Sequence, residues 1–191
     1  MTTRTLHIVR HGAADALGVL TEEGREQCRL LGRRLAPVPL DAIWHSPLPR
    51  AVDSASEIAE QLPGLLVDEE EELNDAVPFV PDTSTAGART AAFFDGYDEE
   101  EAAQGRRLAE RLGARFSTLP RIGDRPTHEL LVTHAFQVAW LVREALGAPP
   151  ASWMSLGQIE NTALTTIVHS FGEPPSVLRV NDRSHLVDQR P

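Results

Sequence analysis

Apolar and polar positions along the chain follow two alternating rhythms. Apolar runs of strand length stand at residues 5–9, 40–45 and 128–133, with further strand-like stretches at 65–67, 161–169 and 176–180. Between them, apolar residues recur every three or four positions, the stripe of an amphipathic helix. The first such stripe, Cys28, Leu31 and Leu35, predicts a helix over 21–36. Thr21 is its N-cap, Glu22 and Glu23 occupy its first turn, Arg25, Arg29, Arg33 and Arg34 face water, and Pro37 and Pro39 stop it. A second helix follows Ser46-Pro47, read as N-cap and first helical residue, and runs through Val52, Ala55, Ile58 and Ala59 to Pro63-Gly64. Leu108, Leu112 and Phe116 predict a helix over 101–119 closed by Pro120, with a loop containing Gly123 and Pro126 behind it. Val138, Leu141, Val142 and Ala145 predict another over 135–146.

Two stretches break the rhythm. Asp68 to Glu72 are consecutive carboxylates, a run whose ordinary place is a solvated loop. Residues 76–105 lose their period and read as an irregular insertion with a short helix around Arg89 to Phe94. The tail from Asn181 also reads as irregular. Strands alternating with helices predict an α/β three-layer sandwich, a mostly parallel central sheet with helices on both faces, in a single domain over 1–191.

The chemistry-bearing residues stand where strands give way to helices. Arg10-His11-Gly12 follows the first strand, Arg50 lies in the first turn after Ser46-Pro47, and His134 separates the strand at 128–133 from its helix. One Arg-His-Gly triplet is compatible with a bare strand end. Three such turns are not independent of each other, because open α/β sheets bind ligands outside the carboxyl ends of their strands. Helix N-terminal amides, guanidinium groups and imidazoles gathered there suit an anion such as a phosphoryl group.

Composition narrows the partners. The net charge of −10 excludes a general nucleic-acid surface and confines any phosphate site to local positive charge. The single cysteine, Cys28, excludes an internal disulfide framework and a Cys-rich zinc site, and is expected to be a structural thiol. With no run of about 18 apolar residues and no apolar leader region, the expected setting is cytoplasmic, with no membrane partner. No His/Asp/Glu spacing supports a metal site; His7, His128, His169 and His185 take core or surface places, and His45 a supporting one.

Four ordered motifs, residues 6–12, Leu20-Thr21 with Gly24 and Gln27, residues 45–51, and Leu131-Val132-Thr133-His134, resemble the histidine phosphatase superfamily, the phosphoglycerate-mutase-like fold. Residues 73–78 and 149–153, with Asn161, are similar to its branch containing the mitochondrial phosphoglycerate-mutase-like protein serine/threonine phosphatase. The resemblance implies a phosphomonoesterase in which His11 attacks phosphorus and becomes a phosphohistidine, Arg10, Arg50 and His134 hold the phosphoryl oxygens, and no cofactor or metal takes part. Gly12 accompanies the nucleophile. The family's proton donor is a glutamate; here Asp75 stands in its place, with Glu72 the other candidate. Ala135-Phe136-Gln137 and Ala13-Ala14 depart from commoner residues and are expected to alter the rim of the pocket. A phosphoglycerate-mutase-type transfer and a catalytically weak phosphate-binding module are the alternatives, and a homodimer is left open.

Overall fold

The computed structural model describes residues 2–119 and 125–189. Its centre is a six-stranded sheet of β1 (Thr3–Arg10), β2 (Ala42–His45), β3 (Leu66–Glu69), β4 (Thr127–Thr133), β5 (Leu164–Ser170) and β6 (Ser176–Asp182), in the order β3-β2-β4-β1-β5-β6. The pairs β2–β3, β2–β4 and β1–β4 are parallel, while β5 and β6 add antiparallel strands on one side. β4 enters between β1 and β2, so the carboxyl ends of β1, β4 and β2 lie side by side.

Strand alternation divides the core into two halves. Val9, Ile43, Leu130 and Val132 face the helices α1 (Glu22–Leu35) and α2 (Pro49–Ala59). Their neighbours Ile8, Trp44 and Leu131 face α4 (Glu99–Phe116) and α5 (Ala135–Ala145) on the other side. With a side-chain period of two, one residue of slip would exchange the halves, so both faces fix the register. The expected α/β three-layer architecture is therefore observed.

Local chemistry accounts for the helix ends. The Thr21 hydroxyl accepts from the Gly24 amide at 3.1 Å, capping α1 as its sequence implied. The second expected cap is corrected: α2 starts at Pro49 after Leu48, with no side-chain cap. Ser46 is drawn instead toward His134, and its hydroxyl accepts from the Leu48 amide at 3.3 Å. The insertion contains α3 (Ala88–Phe93) and ends earlier than expected, because Asp98 accepts from the Glu101 amide at 2.8 Å and starts α4 at Glu99. The carboxylate run is only partly loop: Asp68 and Glu69 belong to the exposed edge strand β3. The tail is not irregular either, since β6 extends through Asp182 and a 3-10 turn follows at Ser184–Gln189. Gly123 and Pro120 lie outside the described residues.

Candidate active site

Backbone pairing brings the three strand ends together. Arg10 on β1 pairs with Thr133 on β4, and His45 on β2 pairs with Val132. One residue further on, the His11 amide donates to the Thr133 carbonyl at 2.9 Å and the Ser46 amide to the Val132 carbonyl at 3.0 Å. His11 and His134 consequently face each other, with ring centroids 5.2 Å apart. The sheet, rather than any loop, sets this distance.

The His11 ring has a defined orientation. Its Nδ1 lies 2.8 Å from the Gly12 carbonyl, which can only accept, so Nδ1 carries the proton and Nε2 the lone pair. Arg50 Nε donates to that Nε2 at 3.1 Å. Burial, reinforced by the Arg10 and Arg50 charges, pushes the His11 pKa down to about 4, which keeps the imidazole neutral near pH 7. Gly12 is held by Ser54, whose hydroxyl accepts from its amide at 3.0 Å and donates to the Arg50 carbonyl at 2.6 Å. A side chain at Gly12 would come within 2.6 Å of the Gly24 carbonyl, so the close crossing of this turn over α1 demands glycine. Asn161 donates to the carbonyls of His11 and Gly12 at 2.9 and 3.1 Å, bracing the turn from the other side.

Arg50 also bridges outward, its second nitrogen 2.8 Å from Asp75 Oδ2. The loop carrying Asp75 is tethered at both ends: the Thr133 hydroxyl donates to the Leu73 carbonyl at 2.7 Å, and the Gln137 amide to the Ala76 carbonyl at 2.9 Å. Asp75 keeps 35% of its side-chain surface, which opens onto the cavity, and its partial burial raises its pKa, against the opposing pull of Arg50 and Arg10. His134 is bonded through Nε2 to the Ser46 hydroxyl at 2.8 Å, and burial holds its pKa far below the ordinary value. Its Nδ1, 3.6 Å from Asp75, is buried without a hydrogen-bond partner. Arg10 donates to the Ile159 carbonyl at 2.8 Å.

Arg10, His11, Asp75 and His134 thus line one cavity of about 750 Å³, with Arg50 bonded to two of them. Glu72 is not among its lining residues; it pairs with Arg111 on α4 at 3.3 Å. Of the expected rim residues, Ala135 and Phe136 line the cavity, whereas Gln137 is buried and Ala13 is tied to Gln27 at 3.0 Å. His45 turns its Nδ1 to the Ser46 carbonyl at 3.0 Å. His7 stacks on His128 at 5.7 Å, away from the cavity, and Cys28 is buried, its thiol pushed up to about 11 by desolvation. Sequence reasoning missed the bracing roles of Ser46, Ser54 and Asn161. Ser46 and Asn161 each stood in a motif, Ser46 read there as a helix cap, whereas Ser54 carried no signal. Among the described residues, no group of three or more His, Cys, Asp or Glu could hold a metal ion.

The profile of the histidine phosphatase superfamily (branch 1) matches residues 6–183. The serine/threonine-protein phosphatase PGAM5, mitochondrial, of Mus musculus is 30% identical over 176 residues, covering 87% of this chain and 58% of that protein. Its Caenorhabditis briggsae counterpart is 31% identical, covering 98% of this chain and 66% of that protein. The chain therefore spans less than two thirds of the length of these curated relatives. Among solved structures, a Bacillus anthracis phosphoglycerate mutase shares the fold at 18% identity, with a TM-score of 0.72 and coverage of 97% and 96% of the two chains. A mycobacterial glucosyl-3-phosphoglycerate phosphatase in complex with VO3 is 26% identical, with a TM-score of 0.66 and coverage of 94% and 99%. The relatives named as mitochondrial overturn the expected cytoplasmic setting. A lone cysteine forms no internal disulfide in any surroundings and so does not identify a compartment. With residues 6–183 matched by its profile, the chain belongs to the histidine phosphatase superfamily, branch 1.

Proposed function

We propose that this chain hydrolyses phosphomonoesters through a phosphohistidine on His11. The observation that carries the reading is the state of the His11 ring: neutral, protonated on Nδ1, with the Nε2 lone pair at the floor of the cavity. Nε2 attacks phosphorus, the bond to the ester oxygen breaks, and the departing oxygen takes a proton from Asp75. Water then attacks the phosphohistidine, giving its proton to the Asp75 carboxylate and releasing phosphate. Arg10, Arg50 and His134 hold the phosphoryl oxygens, where fixed positive charge and N–H donors act without reorganisation. The unpartnered His134 Nδ1 supports this assignment, because an orphaned buried nitrogen beside the nucleophile gains a partner when an oxyanion binds.

Asp75 serves as acid in preference to Glu72, on the strength of its place in the cavity and its raised pKa. Arg50 links the two halves of the reaction. Before substrate binds, it pairs with Asp75 and covers the His11 lone pair. An arriving phosphoryl group draws Arg50 to itself, uncovering Nε2 and freeing Asp75 to hold a proton. The relatives named as protein phosphatases support a phosphorylated substrate. The acidic net charge disfavours nucleic acid, and no described helix is long and apolar enough to cross a membrane. Residues 1–191 are read as one catalytic unit.

The test is an alkaline, denaturing quench during turnover, followed by mapping of alkali-stable, acid-labile phosphate. It is expected on His11 and absent from His11→Ala, which loses at least about 10³-fold in kcat. Turnover that survives in His11→Ala overturns the reading. Full phosphate binding with no turnover by the intact protein would make this a binding module.

A further inference from the structure

The cavity above His11 has two unlike halves. Its floor is charged, but its wall is aromatic: Phe136 and Trp153 meet edge to face with centroids 5.0 Å apart, and Phe93 stands edge-on to Phe136 at 6.5 Å. The Trp153 indole N–H is already spent on the Phe79 carbonyl at 2.9 Å, so the ring offers the cavity π surface and no donor. Among the described lining residues, Thr90 and Gln158 alone bring a hydroxyl or an amide side chain. Against this aromatic wall, away from the charged floor and Arg89, a polyhydroxylated sugar finds few partners for its hydroxyls, which opposes binding. An aromatic body would stack edge-to-face with three rings. Phe93, 52% exposed at the margin of the cavity, would lose that exposure to water. Arg89 lies four residues before Phe93, hence on the same side of α3, and lines the same cavity. It is exposed and has no ion pair among the described residues.

We propose that the preferred substrate is a small phosphomonoester whose alcohol is joined to an aromatic body, with a second anionic group on the far side that meets Arg89. This rests on the phosphatase reading of His11. Hydrolysis follows the same balance as above: water is consumed, and phosphate and the aromatic alcohol are released. The cavity, about 750 Å³, falls within the size range of pockets that enclose small ligands.

The experiment compares esters of similar leaving-group basicity, so that chemistry does not imitate recognition. Naphthylmethyl phosphate, carboxynaphthylmethyl phosphate, glycerol phosphate and glucose 6-phosphate are assayed with the intact chain and with Phe136→Ala, Phe136→Leu and Arg89→Gln. Binding of naphthylmethylphosphonate and methylphosphonate is measured by calorimetry alongside. The naphthylmethyl ester is expected to exceed glycerol phosphate in kcat/KM by about 10-fold or more, mainly through KM. Phe136→Ala should remove most of that advantage by lowering the naphthylmethyl ester far more than glycerol phosphate, with Phe136→Leu intermediate; Arg89→Gln should lower the carboxylated ester by about 10-fold more than the others. Equal rates on all esters, a preference for glucose 6-phosphate, or an equal loss on every ester in Phe136→Ala and Phe136→Leu would each overturn the proposal. Absence of any turnover would sink the phosphatase reading alone, since tighter binding of the aromatic phosphonate than of methylphosphonate still supports the aromatic site, and equal binding refutes it.

Discussion

In the proposed mechanism the Asp75 carboxylate and the His11 imidazole have opposite requirements, and their surroundings shift the two pKa values in opposite directions. Burial takes His11 down to about 4, where it is free of its proton, and raises Asp75, which must carry one. The pH profile of kcat/KM is therefore expected to rise through about 4 as His11 deprotonates, and to fall again as pH passes the raised pKa of Asp75. Asp75→Asn should abolish the alkaline fall and slow hydrolysis of an alkyl phosphate by about 10²–10⁴-fold, with a smaller loss on 4-nitrophenyl phosphate, whose leaving group needs no proton. Glu72→Gln should leave both measurements within about twofold, since its loss removes only a half-exposed pair with Arg111. A profile unchanged by Asp75→Asn and shifted by Glu72→Gln would reverse the assignment of the acid.

At the scale of elements, the site depends on where loops are pinned to strands. The Thr133 hydroxyl at the end of β4 is buried and reaches the Leu73 carbonyl, so the strand that delivers His134 also anchors the loop that delivers Asp75. Thr133→Val keeps the shape and removes the donor. It is expected to cost about 1–3 kcal/mol in urea denaturation, because a buried carbonyl is left unpaired. It should also lower kcat on alkyl phosphates more than on 4-nitrophenyl phosphate, as a displaced acid would. Gly24 makes a comparable contact on the other face, where an added methyl would sit 2.1 Å from the Ala13 carbonyl. Gly24→Ala should push α1 away from the Gly12 turn, destabilise the fold by about 1–3 kcal/mol through overpacking, and weaken phosphate binding.

Across the whole molecule, the sheet is clamped by a charge pair that the polar look of the N-terminus concealed. Arg4 is 2% exposed and meets Glu129 through two bonds of 2.8 Å, while its third nitrogen reaches carbonyls at the end of α4. Trp44 donates to the same Glu129 at 2.9 Å, tying β1, β2, β4 and α4 together. Arg4→Met is expected to cost about 3–5 kcal/mol by chemical denaturation, since it strands a buried carboxylate. A loss below about 1 kcal/mol would show the pair to be dispensable. Histidines held neutral by the fold are expected to make its stability fall in acid. His7, His11 and His185 are held down to about 4, whereas the unfolded chain binds their protons near the ordinary histidine value of about 6.5. The unfolded state therefore binds more protons between these values, so stability is full above about 6.5 and falls as pH drops toward about 4. Urea midpoints measured across that window check the sign.

The sequence alone determined the layered α/β architecture, because strand and helix periods are local properties of side-chain spacing, and it placed His11, Arg50 and His134 at strand-to-helix turns. The order of those turns in the chain also carried the family. What it could not carry were contacts between distant residues. The choice of Asp75 over Glu72 turns on a loop tied to Thr133 and Gln137, and the bracing of His11 by Ser54 and Asn161 on segments 43 and 150 residues away. Ser46 does not start α2 as expected for the same reason, since its hydroxyl is shared with His134, the residue that follows β4. Protonation is likewise a tertiary property: the sequence named the imidazole, but burial and the Gly12 carbonyl decided that it is neutral and which nitrogen faces the cavity.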